Sequence, residues 1–111
     1  MSHLDTVFTA LAHPLRREVL SVLSGRDDGV AEIEELAERL EGVSEAESTA
    51  RLRAALHHTH LPTLDEAGLA EYDPRSGAVR YRESPMKELV ESAVRSSRDP
   101  RSRKSRSSTD S

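Results

Sequence analysis

Hydrophobic positions recur at helical spacing along most of the chain. Leu4, Val7, Phe8 and Leu11 stand at i, i+3, i+4 and i+7, one face of a first helix. His13-Pro14 interrupts it, because the residue ahead of a proline avoids the α region, and Pro14 suits the first turn of a second helix. Leu15, Val19, Leu20, Val22 and Leu23 give that helix its buried stripe, Gly25 ends it, and residues 26–29 read as a loop. Val30, Ile33, Leu36, Ala37 and Leu40 predict a third helix, with Glu32, Glu34, Glu35, Glu38 and Arg39 on its solvent side and Gly42 as its C-cap. Ser44 with Glu47 three residues on reads as a capping box opening a fourth helix. That helix runs through Ala46, Leu52, Ala55 and Leu56 towards Leu64. Pro62 removes one backbone donor and predicts a kink or break between about His58 and Leu61. Gly68 is placed as a stop.

The period then changes. Residues 69–72 and 78–82 read as two short strands around a turn at 73–77, where Pro74 and Gly77 are turn formers and Tyr72, Val79 and Tyr81 favour strand. Pro85 opens a last helix with Met86, Leu89, Val90, Ala93 and Val94 on one face. From about Ser96 the chain is Ser/Arg-rich and free of apolar residues, a composition that predicts disorder. The expectation is therefore one domain over residues 1–95 and a basic tail over 96–111. Four helices, a hairpin and a helix predict a mainly α fold with a small β-hairpin wing, a winged helix-turn-helix. Its helix pair would be residues 30–40 and 44–64, the second helix lying in the major groove and the wing beside the phosphate backbone.

Composition narrows the picture. The 111 residues are 35% hydrophobic but only 3% aromatic, so Leu, Val, Ile and Ala must build the core. There is no cysteine, which excludes disulfides, thiolate metal sites and a cysteine nucleophile. No apolar run approaches ~18 residues and the first residues lack a basic-then-apolar signal pattern, so a cytoplasmic protein without a membrane segment is expected. No nucleophile, carboxylate pair or phosphate loop is spaced as a site, and no enzyme activity or cofactor is expected. The formal charge of −4 is uneven. Residues 95–111 hold six basic and two acidic side chains, +4, which leaves −8 on the other 94. An acidic body is unusual for a DNA-contacting domain. Two lysines against fourteen arginines, with abundant carboxylates, fit a high-salt cytoplasm, where the Debye length falls to ~3 Å and bulk repulsion from DNA matters little.

Three segments carry a family resemblance. Residues 11–23 (LAHPLRREVLSVL) resemble the opening of ArsR-type winged-helix repressors, residues 33–40 (IEELAERL) the first helix of their DNA-binding motif, and residues 60–73 (HLPTLDEAGLAEYD) the end of their recognition helix. The string LHHTHLPTLDEAGLAEYD is similar to an ArsR-like domain of unknown function abundant in haloarchaea. The resemblance spans roughly residues 5–82 and implies a dimeric DNA-binding transcriptional regulator. The segment between Leu40 and His60 is longer than in ordinary ArsR proteins, which implies a fourth helix lengthened at its start. The cysteine metal site of the metal-sensing members is absent, so the resemblance does not extend to metal response.

If Leu52 and Leu56 face the core, the outward arc of the fourth helix is Glu47, Ala50, Ala54, His57 and His58, flanked by Arg51 and Arg53. Arginine can donate paired bonds to guanine or phosphate, and small alanines permit close approach. Arg51, Arg53, His57 and His58 are therefore the candidate groove contacts. Glu45 and Glu47 oppose them, and pairing of the arginines with neighbouring carboxylates is the competing reading. Arg75, Arg80 and Arg82 are candidate phosphate contacts on the wing. His57, His58 and His60 cluster in sequence but lack a fixed fourth ligand, so no metal is expected. The stripes Leu4, Val7, Phe8, Leu11 and Met86, Leu89, Val90, Ala93 have no evident partner in a compact four-helix core. The first and last helices of ArsR-type proteins form their dimer interface, so the resemblance implies a homodimer on a pseudo-palindromic site of double-stranded DNA. A winged-helix module that binds protein and does not read DNA is the alternative.

Overall fold

A computed structural model of the chain describes residues 3–42, 48–83 and 87–98. The fold is mostly helical with a small three-stranded antiparallel sheet. Its elements are α1 (His3–Leu11), α2 (Pro14–Ser24), β1 (Val30–Glu32), α3 (Ile33–Leu40), α4 (Thr49–Ala55), a π-helical turn (Leu56–His60), α5 (Leu61–Glu66), β2 (Ala70–Asp73), β3 (Ala78–Tyr81) and α6 (Lys87–Arg98).

The corner between α1 and α2 is fixed by side chains. His13 is extended and its Nδ1 accepts the Leu15 N–H at 3.1 Å, so it caps α2 with Pro14 in the first turn. Arg16 donates to the carbonyls of Ala10 (2.7 Å) and Thr9 (3.1 Å), and Arg17 to that of Leu11 (2.6 Å). These carbonyls lie in the last turn of α1, where a cation also meets the negative end of the helix dipole.

Val30 belongs to a strand rather than to the third helix. It satisfies helical spacing with Ile33, but it is β-branched, and β1 pairs antiparallel with β3 through Val30–Arg80, Ala31–Val79 and Glu32–Ala78. The two-stranded hairpin expected from sequence is thus a three-stranded sheet in the order β1-β3-β2. Its partner strand lies about fifty residues away, beyond the reach of any local pattern. α3 begins where this pairing stops: the Ile33 N–H donates to the Gly77 carbonyl at 2.8 Å.

The expected cap at Ser44 and the residues through Glu47 lie outside the described residues. The described helix starts at Thr49. Ser48 is fully extended, and its hydroxyl accepts the Arg51 N–H at 3.1 Å. An extended Ser48 cannot sit inside a continuous helix, so this helix begins at Thr49. From Thr49 to Glu66 the backbone is a single helical rod with one wide turn. There Leu61 donates to the Leu56 carbonyl, five residues back. Pro62 has no N–H, and a regular turn would press its ring on the His58 carbonyl; the wide turn just ahead of it replaces the expected break. The Thr63 hydroxyl then bonds the Thr59 carbonyl at 2.6 Å. The rod closes in a Schellman motif, with Leu69 N–H on the Leu64 carbonyl and Gly68 N–H on that of Asp65, Gly68 having a φ of 77°.

The core is aliphatic. Leu20, Leu23, Ile33, Leu36, Leu40, Leu52, Leu56, Leu61, Leu64 and Leu69 are its largest fully buried side chains, together with Val7 and Val19. Burying each such side chain is worth about 1.5–3 kcal/mol, so a core without aromatics needs all of its elements. This accounts for a correction to the expected dimer surface. Val7, Leu11 and Val90 are buried inside the monomer, and Ala93 is partly buried against the same core. α1 and α6 both pack on α2, and their stripes are used there. Leu4 and Phe8 remain exposed, at 40% and 49%. Met86 and the Leu89 side chain lie outside the described residues. α6 also runs past the expected domain end at residue 95, to Arg98, because nothing before Asp99-Pro100 opposes helix.

Gly77 joins the sheet to α3. Its φ is 81°, and a Cβ there would stand 3.1 Å from Ile33 Cγ2. Gly77→Ala should destabilise the fold by about 1–2 kcal/mol in urea unfolding, from the left-handed backbone alone. Gly42→Ala, with nothing within 4 Å of its added Cβ, should be neutral or stabilising by less than about 1 kcal/mol.

Candidate functional site

The solvent side of the rod follows from its buried side. Leu52, Leu56, His60, Leu61 and Leu64 face the core, which leaves Ala50, Arg51, Arg53, Ala54 and His58 exposed and His57 half-buried. The first half of the rod is therefore cationic with small residues between the charges. The second half is acidic, with Asp65 and Glu66 exposed near Pro62.

Arg53 and His57 are brought against β2 and α3. Arg53 Nε donates to Glu34 Oε1 of α3 at 2.7 Å. A 2.7 Å hydrogen bond joins Tyr72 Oη to His57 Nδ1, and the two rings meet edge-on with centroids 5.9 Å apart. Burial raises the Tyr72 phenol above its usual range, so it stays protonated and can donate to a neutral imidazole. Asp65 Oδ2 accepts the Tyr72 N–H at 2.9 Å, so the rod and β2 are linked by backbone as well as side chain. A cleft of about 340 Å³ opens beside this link, lined by His57, Pro62, Asp65, Glu66, Tyr72 and Pro74.

The arginines of the hairpin stand in its turn, on β3 and just after β3. Arg75 is exposed in the turn, which Asp73 organises by accepting from the Arg75 N–H (3.0 Å) and the Ser76 hydroxyl (3.0 Å). On β3, Val79 is buried and Arg80 exposed, as strand alternation predicts. Arg80 stands opposite Glu71 of β2, Nε to Oε1 3.8 Å. Arg82 is exposed, and its N–H donates to the Leu69 carbonyl at 3.1 Å.

Sequence reasoning missed Glu34, Glu71 and Tyr72 as partners of these residues. Arg53 was expected to pair, if at all, with neighbouring carboxylates such as Glu47 or Glu45. Its partner instead sits nineteen residues back, across the α3–α4 contact, and no local spacing announces it. Glu71 opposite Arg80 was available once the strand register was fixed.

The histidines diverge. His57 turns to Tyr72 and His60 into the core, because a wide turn advances each residue less than an α-helical one and residues three apart no longer share a face. His60 is 8% exposed; its ring lies 4.5 Å from that of His13, and Arg16 Nη1 donates to its Nδ1 at 3.4 Å. Among the described residues, no group of three or more His, Cys, Asp or Glu is placed to hold a metal, and no helix is long and apolar enough to cross a membrane.

Burial, His13 and the Arg16 guanidinium lower the His60 pKa to about 4. Burial, then Arg16 and Arg17, lower that of His13 as well. Both rings are needed neutral, since each accepts a hydrogen bond through Nδ1. A histidine whose folded pKa is depressed contributes fully above its unfolded value near 6.5, and that contribution is lost as pH falls towards 4. Urea unfolding should show stability falling between pH 7 and pH 4.5, by roughly 3 kcal/mol at most from His60. His60→Gln should flatten this slope, and an unchanged slope would refute the assignment.

Residues 8–80 match the family described as Domain of unknown function (DUF7344). No curated protein and no solved structure matches the chain.

Proposed function

We propose that this chain, which belongs to the DUF7344 family, is a DNA-binding transcriptional regulator with an ArsR-like winged helix-turn-helix. The observation that carries the reading is the exposed strip of Ala50, Arg51, Arg53, Ala54 and His58 on a helix capped at Ser48. Small residues let such a helix approach base edges, and arginines supply paired donors to guanine or phosphate. In this reading α3 and α4 are the helix-turn-helix pair, the rod is the recognition helix, and the β2–β3 hairpin is the wing. The His57–Tyr72 bond holds wing and recognition helix in one orientation. Arg75, Arg80 and Arg82 position the phosphate backbone. No catalytic step and no cofactor belongs to this function, and its place is the cytoplasm, where the DNA is.

The functional unit is a homodimer. Leu4 and Phe8 are the large hydrophobic side chains left exposed among the described residues. A two-fold pair of α1 helices would cover them and set two recognition helices on a pseudo-palindromic site. Light scattering should report about twice the 12.3 kDa chain mass, and Phe8→Glu should give a monomer with unchanged helical circular dichroism. A wild-type monomer at all salt concentrations would remove the two-half-site arrangement.

One observation favours a second reading, a winged-helix module that binds protein. Residues 1–94 carry −8, and Arg53 and Arg80 both face carboxylates. Titration of genomic duplex fragments by fluorescence anisotropy separates the two. Arg51→Glu with Arg53→Glu should weaken binding to a preferred site by more than about tenfold and reduce discrimination. Arg75→Glu, Arg80→Glu and Arg82→Glu together should weaken binding to all duplexes and flatten its salt dependence by at most about 0.9 per lost phosphate contact. Equal, weak binding of all fragments by the wild type would favour the protein-binding module.

A further inference from the structure

Two of the arginines offered to DNA are occupied in the free protein. Arg53 on the rod is held by Glu34 at 2.7 Å, and Arg80 on the sheet faces Glu71 at 3.8 Å. Both pairs are in water: side-chain exposures are 48% and 61% for the first, 67% and 52% for the second. Exposed pairs of this kind add little to stability, because solvent screens them and ordering two long side chains offsets the attraction. They are therefore poor candidates for structural ties. The chain nonetheless places a carboxylate opposite a candidate DNA contact twice, once on α3 and once on β2.

We propose that Glu34 and Glu71 exchange Arg53 and Arg80 with DNA phosphate, and thereby damp the salt dependence of DNA binding. This rests on the regulator reading given above. An arginine that leaves water for phosphate displaces a condensed cation from the duplex, about 0.9 per contact, and the displaced ions make binding salt-sensitive. An arginine that must first leave a carboxylate does less. The abandoned carboxylate attracts a cation back, so the net release falls. The same exchange lowers affinity at low salt, since one ion pair is broken for each contact formed. At higher salt the pair is already weakened by screening, and its cost disappears. The two carboxylates thus reduce affinity where ions are scarce and leave it nearly unchanged where they are plentiful.

The test is a double-mutant cycle read as the slope of log affinity against log salt, with the full chain and its preferred genomic duplex. Glu34→Gln should raise affinity about two- to fivefold at the lowest salt. It should also steepen the slope, by at most about 0.9. Wild type and variant should converge as salt rises. Glu71→Gln should do the same through Arg80, and the two effects should add. In an Arg53→Gln background, Glu34→Gln should leave the slope unchanged; a shift as large as in the wild type means that bulk charge is responsible, and the exchange is refuted. Glu34→Gln binding with the wild-type slope also overturns the inference and leaves the regulator reading standing. A wild type that prefers no duplex overturns both.

Discussion

The antiparallel pairing of β1 with β3 is the constraint on which the rest of this structure depends. It closes a loop of about fifty residues and brings three strands together. The same pairing sets where α3 begins, since Ile33 donates to the Gly77 carbonyl as the strand ends. α3 in turn packs on α4 and on the wide turn, with Leu36, Leu40, Leu52 and Leu56 all buried. The hairpin therefore anchors the helix pair at one end, and the His57–Tyr72 and Asp65–Tyr72 bonds anchor the rod to the hairpin at the other. A core without aromatic side chains has little energy to spare for misplacing any of these parts.

Charge is arranged with the same economy. Arg16 and Arg17 are taken up by the carbonyls at the end of α1, Arg26 by Glu35, Arg53 by Glu34 and Arg80 by Glu71. The first two hold helices together and are partly buried. The last two lie on the surface, where pairing contributes little to folding. This contrast separates arginines that build the fold from those proposed to leave their partners for DNA.

Much of the helical framework was legible from spacing alone. The break at His13-Pro14, the stop at Gly68 and the stripes of α2, α3 and the rod are local signals, each spanning a few turns. What was not legible is non-local. Val30 fits a helical pattern, and only its distant partner on β3 makes it a strand. The Ser44 and Glu47 spacing lies outside the described residues, and the described helix starts at Thr49, capped by Ser48. The stripes of α1 and α6 are apolar whether they meet a second chain or α2, so spacing could not tell Val7, Leu11 and Val90 apart from Leu4 and Phe8. At the site, Arg51, Arg53 and His58 were placed on the exposed side by the positions of Leu52 and Leu56. Their partners were hidden because Glu34 and Tyr72 reach them across element boundaries.

The proposed regulator must read DNA sequence in the cell. Genome-wide occupancy mapping of the native protein tests it most directly. The expected result is a limited set of bound sites sharing a two-fold-related motif, with half-sites about one helical turn apart. Occupancy indistinguishable from background across the genome would contradict it.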